Sequence, residues 1–251
     1  MRAAARVSAG ARRPASRLAP MLCGLMLAGL AATFAGAASA ADDASAPAAA
    51  KPGDVGSAIS PAEQLLFLDD HLAGVKSGAK LGYRIEHHGV TPAVPDESFT
   101  LGVAGKPDKR KLTLTEQRGD FPLPDGEGAT PNPMILYFLD REVAGMERGT
   151  GGQRRHFQRL IRTALAQGPE IRPGATEVGG KRVATREVVI QPYLTDPERT
   201  RYPEQAGKRF RFVLANDVPG RVAEVHAEVP APDGSFGAEG VEDVLRFTGA
   251  R

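Results

Sequence analysis

The sequence predicts an α+β fold, in which a curved antiparallel sheet packs on two or three helices within a single domain. Strand-like alternation of apolar and polar residues occurs in an early group and a late group of segments, and helical spacing lies between them. Short turns separate neighbouring strand-like segments. They favour antiparallel pairing, because parallel strands need a crossover of a dozen or more residues.

The domain is predicted to begin with a helix. Ser60-Pro61 supplies an N-cap and a first helical residue, and Glu63 completes a capping box. Leucines recur at helical spacing over residues 65–72. We therefore expect this helix to continue until Gly74 or Gly78 stops it.

Three strands are predicted next. Alternation over residues 81–86 is typical of a half-buried strand. Residues 99–103 and 112–114 repeat this pattern on either side of the turn-forming Lys106-Pro107-Asp108. The residues from 121 to 133 are rich in proline and glycine and are predicted to form a loop.

The middle of the chain is predicted to be helical. Asn132-Pro133 supplies a cap and a first helical residue, and apolar residues follow on one face until the Gly149–Gly152 cluster. Residues 153–165 fit a helix through apolar positions at i, i+3, i+4, i+7 and i+8. They also fit the alternation of a strand, so both structures stay open here, although the helix is favoured.

The last third is predicted to return to strands. Gly179-Gly180, between two strand-like runs, indicates a hairpin. Residues 210–214 alternate regularly, whereas the alternation in residues 222–229 slips by one position, which indicates a β-bulge. A last strand is predicted around residues 244–247.

The N-terminus is typical of a cleaved secretory signal. Five arginines precede an apolar run, Met21–Gly36, and Ala38-Ser39-Ala40 then supplies a signal-peptidase site. The apolar run is shorter than the about 20 residues that a spanning helix needs. We therefore predict a signal at residues 1–40, a flexible tether at 41–59 and one domain at 60–251. The predicted location is the periplasm, with no membrane span after cleavage.

Removal of this signal changes the charge of the protein. The full chain has 32 basic and 30 acidic residues, and loss of the five arginines leaves 27 basic residues and a net charge of −3. A mildly acidic protein is a poor match for nucleic acid. The single cysteine, Cys23, leaves with the signal, so the predicted mature protein has no disulfide, thiol nucleophile or cysteine metal ligand. No motif indicates a cofactor.

The histidines are the first candidates for a polar site. His71 follows two aspartates, and the pair His87 and His88 follows Glu86. Because adjacent residues of a strand point to opposite faces, the pair is a poor set of metal ligands, and no metal site is predicted.

Glycoside chemistry would need a pair of carboxylates. The glutamates of this chain, Glu142 among them, are expected to be ordinary surface residues.

The second candidate is a row of arginines within residues 153–165. Arg155, Arg159 and Arg162 lie opposite the apolar positions if this segment is a helix. Such a row is suited to a phosphate or an anionic lipid headgroup. More often it is a solvated face that pairs locally with Glu or Asp.

The order of the predicted elements resembles the fold of envelope lipoprotein carriers, in which a curved sheet cups helices. Residues 132–165, 189–193 and 210–220 also resemble uncharacterised exported proteins of Gram-negative bacteria. This resemblance implies an apolar cavity between sheet and helices and non-catalytic binding of an apolar or acylated ligand. The alternatives are an envelope assembly factor that binds another protein and a hydrolase that uses the histidine clusters.

Overall fold

The strands form one antiparallel sheet, and the two long helices pack on one of its faces. The computed structural model describes residues 58–89, 93–116, 119–123, 126–128, 130–237 and 240–251. The predicted signal and the predicted tether up to residue 57 lie outside the described residues.

Ten strands and four helices are assigned in the described residues. The strands are β1 (Lys80–His88), β2 (Glu97–Lys106), β3 (Lys109–Glu116), β4 (Gly119–Pro122), β5 (Gly126–Glu127), β6 (Ile171–Val178), β7 (Lys181–Ile190), β8 (Arg209–Leu214), β9 (Val222–Val229) and β10 (Val241–Ala250). The helices are α1 (Pro61–Glu63), α2 (Pro133–Thr150), α3 (Arg154–Ala166) and α4 (Pro203–Ala206), with a π-helical turn at Gln64–Leu68 and a 3-10 turn at Arg199–Arg201. None of the helices described is both long enough and apolar enough to cross a membrane.

All of the strand pairs are antiparallel, and the order across the sheet is β4-β3-β2-β1-β10-β9-β8-β7-β6. The short β5 pairs with β3 beside this path. The first long strand, β1, therefore pairs with the last one, β10, in the middle of the sheet. This topology confirms the predicted α+β class.

The first helix is shorter than predicted. Its α-helical part ends at Glu63, a π-helical turn follows, and Asp69 is already extended. The side chain of His71 donates from Nε2 to the carbonyl oxygen of Leu65 at 2.7 Å. A continuing α-helix needs that carbonyl for its own ladder, so the backbone N–H of Asp69 bonds one residue further back, to Gln64.

The loop predicted for residues 121–133 is also partly wrong, because β4 and β5 lie in or beside it and both pair with β3. Pro122 is tolerated in β4, since this strand is at the edge of the sheet and needs no second row of hydrogen bonds.

The other predicted elements are confirmed. Residues 154–166 form the helix α3, which removes the strand alternative. Gly179 and Gly180 both have positive φ, as a two-residue hairpin turn between β6 and β7 requires. The predicted bulge lies in β9: Val213 pairs with Glu224 and Leu214 with Val222, which leaves Ala223 as the extra residue.

An apolar core fills the space between the helices and the sheet. Phe138 of α2 and Phe157 of α3 are fully buried, as are Phe210 and Phe212 of β8. The ring of Tyr193 lies between Phe157 and Phe210, with centroids 5.6 and 6.3 Å away. Large side chains thus occupy the interface that was predicted to hold an apolar cavity, and the cavities described below lie at its edge.

A buried hydrogen-bond network joins the start of α2 to the sheet. Asn132, the N-cap of α2, donates from Nδ2 to the hydroxyl of Tyr83 at 2.7 Å and to the carbonyl of Gly220 at 2.8 Å. Its backbone N–H donates to Nδ1 of His71 at 3.0 Å. Burial lowers the pKa of His71, and both of its ring nitrogens are used, one as donor and one as acceptor. The network therefore fixes a neutral histidine in the core.

The face of the sheet opposite the helices is charged. His226 of β9 lies between Glu224, 2.7 Å away, and Glu242, 2.6 Å away, and Arg246 of β10 also pairs with Glu224. Thr176 of β6 donates to Glu224 at 3.1 Å, although β7 and β8 lie between their strands. In a flat sheet these two strands would be about 14 Å apart. The sheet therefore curls toward its charged face, which confirms the predicted curvature.

Candidate ligand-binding groove

A groove of about 640 Å³ opens beside the second half of α2. One wall is formed by α2 residues between Arg141 and Thr150, and the other by the segment from Arg201 to Lys208. Asp243 of β10 contributes to the floor. The volume lies within the range of about 300–1,000 Å³ that is usual for small-molecule sites.

Buried ionic groups form the floor of this groove. Lys208 donates from Nζ to Oε2 of Glu142 at 2.6 Å, and both side chains are at most one-tenth exposed. Burial raises the pKa of Glu142; the Lys208 ammonium opposes this, the neighbouring Asp243 carboxylate adds to it, and the net direction is upward. The pKa of a buried carboxyl group of this kind changes strongly when another charge enters the groove.

A contact between a histidine and a carboxylate lies behind the floor. Nδ1 of His87 is 2.6 Å from Oδ1 of Asp243, and the other ring nitrogen lies 3.5 Å from Glu97. Arg141 of the groove wall donates to Glu97 from both terminal guanidinium nitrogens, Nη1 and Nη2. Nε2 of His87 is buried and makes no hydrogen bond within the described residues, and the same is true of the Tyr193 hydroxyl. Two buried polar atoms near the floor are thus left unsatisfied.

The rim combines both signs of charge with apolar surface. Arg148 and Glu204 are exposed on opposite walls and belong to none of the ion pairs found in the described residues. Arg201 pairs with a neighbouring glutamate on the surface, where such a pair is worth at most about 1 kcal/mol. Met146 and Tyr202 also line the groove and add a small apolar area, since they are 2% and 6% exposed. The lining therefore offers donors, acceptors and an aromatic ring within one cavity.

A smaller cavity of about 260 Å³ lies at the turn between α2 and α3 and shares Tyr202 with the groove. Nε2 of His156 is 2.7 Å from Oδ2 of Asp196, and the Tyr202 hydroxyl donates to the same carboxylate. Burial raises the pKa of Asp196, but the hydrogen bonds from Tyr202 and His156 outweigh it and hold the pKa below its ordinary value. Asp196 is thus an ionised anchor that ties its segment to α3.

Two glycines shape this turn. Gly151 caps α2 in the left-handed conformation, with φ of 68°. A Cβ on Gly152 would lie 2.6 Å from the ring of Phe157, so a larger residue there would displace the first core residue of α3. Gly151 is therefore required to end α2, and Gly152 is required to seat α3 beside the cavity.

The three histidines predicted to form a polar cluster are not brought together. His71 is in the core, where its network reaches Tyr83 of β1. His87 lies four residues further along β1, which is about 13 Å of strand. His88 is exposed and lies 3.7 Å from Glu86. Of the three, only His87 contributes to the groove, and it does so from behind the floor. No group of three or more potential metal ligands occurs among the described residues.

The predicted arginines lie apart from the groove. Arg155, Arg159 and Arg162 are exposed on α3, opposite the buried Phe157 and Ile161. None of them lines either cavity.

The ionic floor of the groove was not predicted from the sequence. Glu142 was expected on the surface but is buried, and Lys208 and Asp243 come from parts of the chain 66 and 101 residues further on. One signal was present: Glu142 follows Leu139 and precedes Val143 and Met146 on the apolar face of α2. A carboxylate on such a face needs a buried partner, although the sequence does not identify it.

Neither a family model nor a curated protein matches this chain. Among solved structures, the chain is similar to the lipoprotein LppX of Mycobacterium tuberculosis, with 10% sequence identity and a TM-score of 0.27. The match covers 67% of this chain and 84% of LppX. The likeness is weak at this TM-score, and no residue, ligand or partner is transferred from it.

Proposed function

We propose that this protein is an exported, non-catalytic binding protein, and that the groove beside α2 receives the polar end of an acylated ligand. Export rests on the signal-like pattern of residues 1–40. Binding rests on one observation: an open groove of about 640 Å³ stands above the buried Glu142–Lys208 pair.

The buried pair is the reason to favour recognition over a purely structural role. An ion pair in a protein interior seldom stabilises the fold more than apolar residues of similar volume would. Between α2 and the residue before β8, apolar packing would serve stability at least as well, and the Glu142–Lys208 pair instead lines a cavity. A ligand that carries charge meets fixed partners there without reorganisation of the protein.

The charges on the lining indicate the class of headgroup. Arg148 and Lys208 supply cations, Glu204 and Asp243 supply anions, and all four line the same groove. A zwitterionic headgroup such as phosphoethanolamine matches both signs at once. Tyr202 and Met146 line the groove with a small apolar area, against which the first part of an acyl chain would lie.

Gly145 provides a way to block the groove without disturbing its chemistry. It lies on the wall of the groove, is exposed, and a Cβ there would meet no atom within 4 Å. We expect Gly145→Trp to fill the groove and to weaken binding of lysophosphatidylethanolamine about tenfold or more. Isothermal titration calorimetry of the purified protein, with the lipid below its micelle concentration, measures this change.

The matched control is Gly145→Ala, which leaves the groove open. Its affinity should equal that of the wild type, while the free energy of unfolding should rise by about 1 kcal/mol, because alanine is the better helix former. Equal affinity of the tryptophan variant and the wild type would exclude the groove as the site. A wild-type protein that does not bind the lipid, or binds glycerophosphoethanolamine equally well, would overturn the acylated class of ligand.

A further inference from the structure

The exposed side of α3 carries a compact row of positive charge. Arg155, Arg159 and Arg162 follow the spacing i, i+4 and i+7, which places them on one face of the helix, within about 10 Å along its axis. The buried Phe157, Ile161 and Leu165 occupy the opposite face. We call these three arginines the α3 cationic face.

Among the described residues, no neighbouring acid pairs with this face. The helix contains no Asp or Glu. Its first residue, Arg154, pairs with Asp140 and Glu147 of α2, but the ion pairs found in the described residues include none of the three arginines of the face. A guanidinium nitrogen of Arg159 lies 3.2 Å from Nδ1 of His156, and that imidazole is already held by Asp196. Within the part of the chain that the structure describes, these arginines therefore lack the local pairing that a solvated arginine row usually has.

The segment of residues 194–202, next to α3, carries further basic and apolar side chains. Its position beside the first turn of the helix is fixed by the His156–Asp196 contact and by the packing of Tyr202 on Phe157, with ring centroids 5.5 Å apart. This segment adds the exposed Arg199 and the half-exposed Leu194. An exposed surface with several arginines and a leucine, which lines neither cavity, is suited to a flat anionic partner rather than to an enclosed small ion.

We propose that the α3 cationic face is a docking surface for bilayers that contain anionic phospholipid. The mildly acidic charge predicted for the mature chain does not oppose this, because attraction to a charged surface decays within about 10 Å and depends on the charges nearest to it. Each arginine near an anionic bilayer raises the binding constant about fivefold, so three give about 100-fold. The proposal does not require the groove to bind a ligand.

Sedimentation with vesicles tests this surface. The wild-type protein should bind vesicles of phosphatidylglycerol and phosphatidylcholine about 100-fold more strongly than vesicles of phosphatidylcholine alone, and added salt should remove the difference. The triple variant Arg155→Gln, Arg159→Gln and Arg162→Gln should lose it at low salt as well. These side chains are exposed, so the thermal unfolding midpoint should stay close to that of the wild type.

The matched control removes the same charge elsewhere: Arg172→Gln, Lys181→Gln and Arg182→Gln, which are exposed on the β6–β7 hairpin. It should retain the preference for phosphatidylglycerol. Equal loss in both triple variants would show that only net charge matters and would overturn the proposal. So would a wild-type protein that binds DNA or an acidic polysaccharide but not the anionic vesicles. Binding of lysophosphatidylethanolamine in the groove should be unchanged in either triple variant, so the two proposals succeed or fail separately.

Discussion

Gly220→Ala is expected to lower the free energy of unfolding by about 4 kcal/mol. Gly220 has φ of +80°, a conformation that costs a residue with Cβ about 1–2 kcal/mol. The new methyl group would also lie 2.8 Å from Nδ2 of Asn132, 2.8 Å from Cδ1 of Leu81 and 3.1 Å from the Tyr83 hydroxyl. It would thus displace the amide that connects α2 to the sheet, and crowding of this kind costs a further 1–3 kcal/mol or so.

Gly74→Ala is the matched control for this prediction. Gly74 has nearly the same φ, +78°, but it is exposed and a Cβ there would meet nothing within 4 Å. Gly74→Ala should lower the free energy of unfolding by about 1 kcal/mol. The difference between the two variants therefore measures the effect of the packing around Asn132. Urea unfolding followed by circular dichroism gives both values. Similar destabilisation by the two substitutions would contradict the role assigned to the Asn132 network.

The prediction of the fold succeeded where local chemistry decides the structure. Capping by Asn132, the paired glycines at 179 and 180, and the slipped alternation around Ala223 each specify a backbone conformation within a few residues. It failed where a distant contact competes with local propensity. The first helix stops early because the side chain of His71 takes a carbonyl from it, and β4 forms in a proline-rich stretch because β3 offers it an edge.

The candidate groove could not be predicted from the sequence either, because contacts between distant parts of the chain form it. Its ionic floor is assembled from α2, β10 and the residue before β8, and no short motif connects these positions. Conversely, the histidines were candidates because His71 follows two aspartates and the pair His87 and His88 follows Glu86. The structure instead uses His71 in the core and His87 behind the floor of the groove. The useful signal in the sequence was an ionisable residue on the apolar face of a predicted helix, and that residue was Glu142.

Glu224→Gln is expected to show a pH-dependent loss of stability, largest at neutral pH. Burial raises the pKa of Glu224, but the hydrogen bond from His226 and the charge of Arg246 outweigh it and hold the pKa at about 2, against an ordinary value of 4.5. Because the folded-state pKa is the lower one, this carboxylate stabilises the fold fully above pH 4.5, and the contribution disappears as the pH falls toward 2. The difference between the two pKa values corresponds to about 3 kcal/mol.

The stability difference between wild type and Glu224→Gln should therefore be about 3 kcal/mol at pH 7 and should shrink steadily between pH 4.5 and pH 2. Urea unfolding at a series of pH values measures it. Glu177→Gln, on the exposed side of β6, makes the same change outside any ion pair found in the described residues and should stay within about 0.5 kcal/mol of wild type throughout. A loss that is independent of pH would mean that Glu224 acts through packing, and that its contacts with Arg246 and His226 contribute little. A loss that follows the predicted course would instead show that the charged face holds the curled sheet together through ionic contacts, since Glu224 connects β6, β9 and β10 across that face.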